Sequence, residues 1–228
     1  MTEQPVLLEI KNQIAIVTLN RPQALNSLSK AMRDQLVSVF KEIQQNEDLR
    51  VVILTGNGHA FCAGLDLKEM ETDGLSSNDL GTTAPFIKLI EQLSIPIIGA
   101  INGFAITGGF ELALLSDFMI AAESAKFADT HGRVGIVPGW GLSQKLSRII
   151  GIQRAKEMSL TGNFIDAGQA EHWGLVNTVV PDGELMEVAL QLAGDIASCD
   201  PIALKEIKKL IDVGYGTTLA EGVSTRRG

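Results

Sequence analysis

The sequence predicts an α/β protein with a mostly parallel sheet and a helical C-terminal part, and three observations carry that expectation. Short apolar runs, rich in β-branched residues and closed by glycine, recur along the chain. Between them lie stretches whose apolar residues repeat at helical spacing. After Asp182 only helical patterns occur.

The first element is a pair of strands. VLLEIKNQIAIVTLN gives two short strands joined by a turn at Lys11–Gln13, and Arg21–Pro22 ends the second. From Ser29 to Gln45, Met32, Leu36, Val39, Phe40 and Ile43 fall on one face of a helix. Val51–Gly56 is a strand buried on both faces, since its apolar run is continuous. A polar loop, Glu71–Thr83, precedes a helix near Pro85–Leu93 and a second buried strand at Ile95–Ile101. Glu111–Ser116 reads as helix, Phe118–Ala121 as strand and Leu142–Ile150 as helix. Two helices close the chain, Glu184–Ala197 and Ile202–Val213, the latter opened by Asp200–Pro201 as N-cap and first-turn pair. The expected division is a core over residues 1–182 and a helical subdomain over 183–228.

With 228 residues, 45 % hydrophobic and 20 % charged, the chain supports one substantial core. It contains no long uncharged apolar run, so a membrane-spanning helix is not expected. The start, MTEQPVLLEIKNQ, has neither the basic-then-apolar pattern of a secretory signal nor an Arg-rich transit pattern, which points to the cytoplasm. Cys62 and Cys199 lie far apart and outside any metal-ligand spacing, so reduced thiols and no metal are expected. A net charge of −8 without a Lys/Arg cluster argues against nucleic acid, while a phosphorylated ligand stays compatible. No G-x-G-x-x-G opens a helix after a strand, and no G-x-S-x-G elbow is present. A dinucleotide-dependent oxidoreductase and a serine hydrolase of that type are therefore disfavoured.

Two glycine-containing turns bear on chemistry: His59–Lys68 (HAFCAGLDLK) and Asn102–Glu111 (NGFAITGGFE). Small residues let a ligand approach the main chain, and amides at a helix start point outward as donors. Two such amides converging from separate loops can stabilise negative charge on a carbonyl oxygen. Taken alone, the glycines also fit a reading as plain tight turns.

The segments FCAGLDLKE, INGFAITGGFELALLSD and AKFADTHGRVGIVPGWG succeed one another in an order and spacing that resemble the enoyl-CoA hydratase/isomerase (crotonase) family. LNRPQALNSL before them and LTGNFIDAGQAEHWGLVNTVV after them extend the resemblance over roughly Val6 to Leu210. It implies a crotonase-like spiral of ββα units with a C-terminal helical subdomain, assembled as a homotrimer or hexamer. It implies an acyl-CoA substrate and no further cofactor, coenzyme A being part of the substrate. Ala63 and Gly108 match the residues whose amides form the family's oxyanion hole, and the coenzyme is expected along Ala63, Gly64, Leu65, Asp66 and Leu67. Glu111 matches the first catalytic glutamate of family hydratases, a general base that orients water. Family members continue through a further helical stretch, so the helical part is expected to be short, by truncation or by nature.

One departure stands out. Where hydratases place a second glutamate, the chain reads Phe127-Ala128-Asp129-Thr130-His131. His131 suits acid–base work near neutrality, and equally a hydrogen-bonding role in the pocket wall. Asp129, on the same side in an extended segment, is a spare carboxylate candidate. Gly139 stands where family dehalogenases and dienoyl-CoA isomerases carry an aspartate, which disfavours both. Trp140 either lines the acyl pocket or packs its segment in place, and the loop Glu71–Thr83 borders that pocket in the family. The expected reaction is addition of water to a 2-enoyl-CoA. The alternatives are a non-catalytic acyl-CoA-binding homologue, or another thioester reaction of the same fold (isomerase, hydrolase, decarboxylase).

Overall fold

In the computed structural model the chain is described over residues 4–69 and 84–224, so the expected loop Glu71–Thr83 lies outside the described residues. Strand β1 (Val6–Lys11) and strand β2 (Ile14–Leu19) form an antiparallel hairpin. Asn12 and Gln13 turn it with φ of 49° and 67°, the two left-handed residues that a tight two-residue hairpin requires. Helix α1 (Lys30–Gln45) starts at Ser29, whose hydroxyl accepts the Met32 N–H at 3.2 Å. The five apolar residues expected on its inner face are all buried.

Strand β3 (Val51–Gly56) continues the sheet in parallel, followed by β5 (Ile97–Ile101) and β7 (Phe118–Ala122). With β10 (Thr178–Val180) at the far edge, the large sheet runs β1-β2-β3-β5-β7-β10, and only the first pair is antiparallel. A smaller sheet lies beside it, made of β4 (Ala60–Cys62), β6 (Phe104–Ile106), β8 (Lys126–Ala128) and β9 (Ile165–Asp166). Three times a strand of the large sheet is succeeded, after two or three residues, by a strand of the small one: β3 by β4, β5 by β6, β7 by β8. Each turn advances one position in both sheets, which makes the chain a spiral of ββα turns.

Helices α2 (Pro85–Glu91), α3 (Gly108–Ala113), α4 (Leu142–Ile150), α5 (Ile152–Thr161) and α6 (Ala167–His172) complete the turns. The helix expected from Glu111 begins three residues earlier, at Gly108, and ends at Ala113. The main core holds Phe40, Phe61, Phe110 and Phe127, all fully buried, and the Phe110 and Phe127 ring centroids are 5.6 Å apart.

The opposite face of the large sheet carries Ile53, Ile98 and Ile120. Helix α7 (Leu185–Ala197) covers it with Leu185, Ala189 and Ala193. A division at residue 182 therefore cuts through a shared apolar layer, and α7 packs as part of the core. Helix α8 (Pro201–Tyr215), capped by Asp200 as expected, buries no residue of its own. An ion pair from Lys208 to Asp117 and a hydrogen bond from the Tyr215 hydroxyl to the Arg148 carbonyl at 3.2 Å tie it to the core. The chain ends in the short helix α9 (Leu219–Ser224) as far as it is described. Among the described residues no helix is long and apolar enough to cross a membrane.

Candidate active site

The spiral brings the ends of β4, β6 and β8 together, and the segments that leave these three strands build the site. After β4, Gly64 takes φ 95°. A Cβ there would stand 3.1 Å from the Ile106 carbonyl oxygen and 3.3 Å from the Gly108 nitrogen. The two glycine turns singled out in the sequence thus touch, and the absence of a side chain at Gly64 lets them.

The expected assignment of the first oxyanion donor needs correction. The Ala63 N–H donates to the Leu25 carbonyl at 3.0 Å, so that amide is already used. The Leu28 N–H likewise engages the Gly64 carbonyl at 2.8 Å, stitching the turn to the segment before α1. The Leu65 N–H makes no hydrogen bond among the described residues, and Leu65 lines the same cleft as Gly108. Leu65 is therefore the available partner of Gly108. The spacing of the motif could not show this, because the carbonyl that captures Ala63 comes from a distant loop.

Gly108 opens α3, where no preceding turn supplies a carbonyl for its N–H. The residue before it, Thr107, has φ 54°, which is uncommon for a β-branched residue. Two contacts hold it there: its N–H donates to the Ala128 carbonyl at 2.9 Å, and its hydroxyl hydrogen-bonds that of Thr130. Sequence reasoning missed both threonines.

Of the expected coenzyme-binding residues, Ala63, Leu65 and Leu67 line the cleft. Asp66 does not, because its carboxylate turns back to Arg21 Nη1 at 2.9 Å and to the Ser27 hydroxyl at 3.1 Å. Burial pushes that carboxyl up, but the bonds from Arg21 and Ser27 outweigh it and hold it below the ordinary range. Its role is to brace the turn.

The cleft encloses about 60 Å³, room for a few water molecules or the first carbons of an acyl chain. Leu65, Leu67, Val134, Ile136, Val137 and Trp140 form its apolar wall. Trp140 combines both expected roles: it lines the cleft and packs edge-on against Phe86 at 5.2 Å.

Glu111, 2 % exposed, sits one turn into α3. Its Oε1 accepts the Trp140 N–H at 2.7 Å and the Leu142 N–H at 3.3 Å. Its Oε2 is 3.4 Å from Nε2 of His131. His131, 4 % exposed, opens a single 3₁₀ turn (His131–Arg133) after β8. Its Nδ1 is 2.6 Å from Oδ1 of Asp129, which also accepts the His131 N–H at 3.2 Å. The expected side-by-side placement of Asp129 and His131 is present, produced by a turn rather than by strand alternation. Burial disfavours the imidazolium, yet the hydrogen bonds to Asp129 and Glu111, with their charges, raise the His131 pKa to about 9. Asp129 is driven up by burial and held below the ordinary range by the bonds from His131 and from the Ser159 hydroxyl. Burial also pushes the Cys62 thiol up to about 12, against a weaker opposing effect of the Gly64 N–H, so that thiol is no nucleophile near neutrality.

A spiral α/β protein with two amides unclaimed among the described residues, a buried glutamate and a buried histidine around one apolar cleft is equipped to hold an oxygen atom and move protons beside it. The family model described as enoyl-CoA hydratase/isomerase matches residues 9–228, and the chain belongs to that family. It is 45 % identical over 222 residues to an Arabidopsis thaliana protein named "Probable enoyl-CoA hydratase 1, peroxisomal", covering 93 % of this chain and 83 % of that one. It is 39 % identical over 212 residues to the short-chain-enoyl-CoA hydratase of Clostridium acetobutylicum, covering 92 % and 81 %. The crystal structure of an enoyl-CoA hydratase from Bacillus anthracis superposes with a TM-score of 0.91 at 40 % identity, covering 98 % and 88 %.

Proposed function

We propose that the protein is an enoyl-CoA hydratase that adds water across the double bond of a 2-enoyl-CoA thioester. The observation that carries this reading is the pair formed by Glu111 Oε2 and His131 Nε2, 3.4 Å apart in the cleft that Leu65 and Gly108 also line. That spacing lets a base and an acid serve one face of a flat substrate, with a water held against Oε2.

The steps balance. Glu111 Oε2 takes a proton as the water oxygen bonds to the β-carbon, and the electron pair of the double bond moves through the α-carbon to the thioester oxygen. The Leu65 and Gly108 N–H groups receive that charge, each worth about 3 kcal/mol of barrier. The enolate then collapses and its α-carbon takes a proton from His131 Nε2. Glu111 passes its proton to His131 directly, which restores both groups. The histidine in place of a second glutamate thus still provides an acid.

The reading needs no metal or redox cofactor. Assembly as a homotrimer or hexamer is part of it, supported by exposed Ile202, Ile207 and Ile211 along α8. The cytoplasm is the proposed compartment, which fractionation of a tagged chain checks.

The test is to mix the purified protein with short and medium trans-2-enoyl-CoA and track the loss of conjugated enoyl-thioester absorbance. A 3-hydroxyacyl-CoA product is the expected result. Binding of acyl-CoA without turnover would overturn it in favour of a non-catalytic homologue, and release of free thiol in favour of a hydrolase.

A further inference from the structure

We infer that Asp129 is a positioning residue for this reaction: by holding Nδ1 of His131, it fixes the ring with Nε2 toward Glu111 and keeps a proton on Nε2. The inference rests on the proposed hydratase reading for its kinetic consequences, though not for its structural ones.

The geometry carries it. Asp129 is fully buried, and its Oδ1 takes two bonds from one residue, the ring at 2.6 Å and the backbone N–H of His131 at 3.2 Å. A buried carboxylate is retained where it has a charged or hydrogen-bonded partner. Here that partner is His131. Its other oxygen, Oδ2, has no hydrogen-bond partner among the described residues, and the Ser159 hydroxyl on α5 joins His131 in holding the carboxyl down. Both bonds from His131, ring and backbone, converge on Oδ1.

Among the described residues the charged groups facing His131 are Asp129 from its own segment and Glu111 from α3. Arg133, on the same turn, points away: its guanidinium donates to the Thr161 carbonyl and to Asn163 Oδ1. With two buried carboxylates and no guanidinium beside it among the described residues, the imidazole is the group placed to carry positive charge there. The raised pKa of His131 agrees with this arrangement. Asp129 is not among the residues that line the cleft, so it acts through the ring.

Asp129→Asn tests the idea, because the amide oxygen still accepts from Nδ1 while the charge is gone. The expected result is a fall in kcat of about 100-fold with KM changed less than about threefold. The alkaline limb of the pH–rate profile should move down by at least about one unit. In a His131→Gln background the same substitution should cost no further activity, since the ring it serves is absent. A kcat within about threefold of wild type and an unmoved pH profile would overturn the inference. Should Asp129→Asn fail to fold, or wild type show no hydratase activity, the imidazole NMR titration of wild-type His131 decides alone. A ring still protonated at about pH 8 with a retained Nδ1–H supports the inference, and a midpoint below about pH 7 overturns it.

Discussion

Glu111 Oε1 accepts the Trp140 N–H at 2.7 Å, so one oxygen of the carboxylate is fixed by the backbone and the other faces His131. This division of labour sets the outcome of Glu111→Gln. The glutamine oxygen can keep the bonds from Trp140 and Leu142, while its NH₂ replaces the basic oxygen. Folding and acyl-CoA affinity should survive, and kcat should fall by at least about 100-fold. Steady-state kinetics together with calorimetric titration of acyl-CoA check this. Activity within about threefold, less than 1 kcal/mol of barrier, would remove Glu111 as the base.

The pH dependence is set by His131. As a general acid it must be protonated, so kcat/KM should hold level across neutrality and decline as pH rises through about 9. Stability has the same sign. The folded pKa of about 9 lies above the unfolded value of 6.5, so the contribution is complete below pH 6.5 and is lost as pH climbs from there to about 9. Its size is on the order of 3 kcal/mol. Asp129 works at the other end, its contribution present above the unfolded value of 3.8 and lost as pH falls below it. Thermal melts across this range should show Tm dropping between pH 6.5 and about 9 in wild type, with a flatter profile in His131→Gln. A wild-type Tm independent of pH there would contradict the assignment.

The large sheet was legible in the sequence because β3 and β5 are buried on both faces and so read as continuous apolar runs. The small sheet was not. Its strands are two or three residues long, too short to display any period. Glu111, Gly108 and His131 could be named from motif positions and do meet in one cleft. The Ala63 amide could not be judged from its motif, because its fate depends on Leu25, a left-handed residue at φ 50° in another loop. Alternation did place Asp129 beside His131, but the bond from the ring to Oδ1 is made by a turn at His131 that the sequence did not show.

Neighbouring glycines of α3 should respond differently to alanine. A Cβ on Gly109 would lie 2.0 Å from the Cys62 carbonyl oxygen, a backbone clash that no side-chain shift relieves. Gly109→Ala should therefore lose more than about 3 kcal/mol, at or beyond the upper end for overpacking, and express poorly. A Cβ on Gly108 would meet Trp140 Cζ3 at 3.0 Å, and the indole can give way. Gly108→Ala should fold with a loss of about 1 kcal/mol, yet impair turnover, because Trp140 also supplies a backbone donor to Glu111. Urea denaturation and kinetics on the two variants separate these effects, and equal stability for both would show the Cys62 clash to be relieved by backbone movement.

Thr107 gives the sharpest separation of stability from activity. Its φ of 54° stores about 1–3 kcal/mol of backbone strain directly before the Gly108 amide. Thr107→Gly would relieve that strain, while losing the hydroxyl bond to Thr130, about 1 kcal/mol, and adding unfolded-state entropy of about 0.5–1 kcal/mol. These terms nearly cancel, so chemical denaturation should register a change under about 1 kcal/mol. Turnover should nonetheless fall about tenfold, because the Gly108 N–H is then free to swing away from the thioester oxygen and part of that donor's stabilisation is lost. Thr130→Val, which removes the hydroxyl partner but keeps the side-chain volume, should show the same kinetic defect in milder form. Full activity in Thr107→Gly would mean that the start of α3 alone holds the Gly108 amide in place.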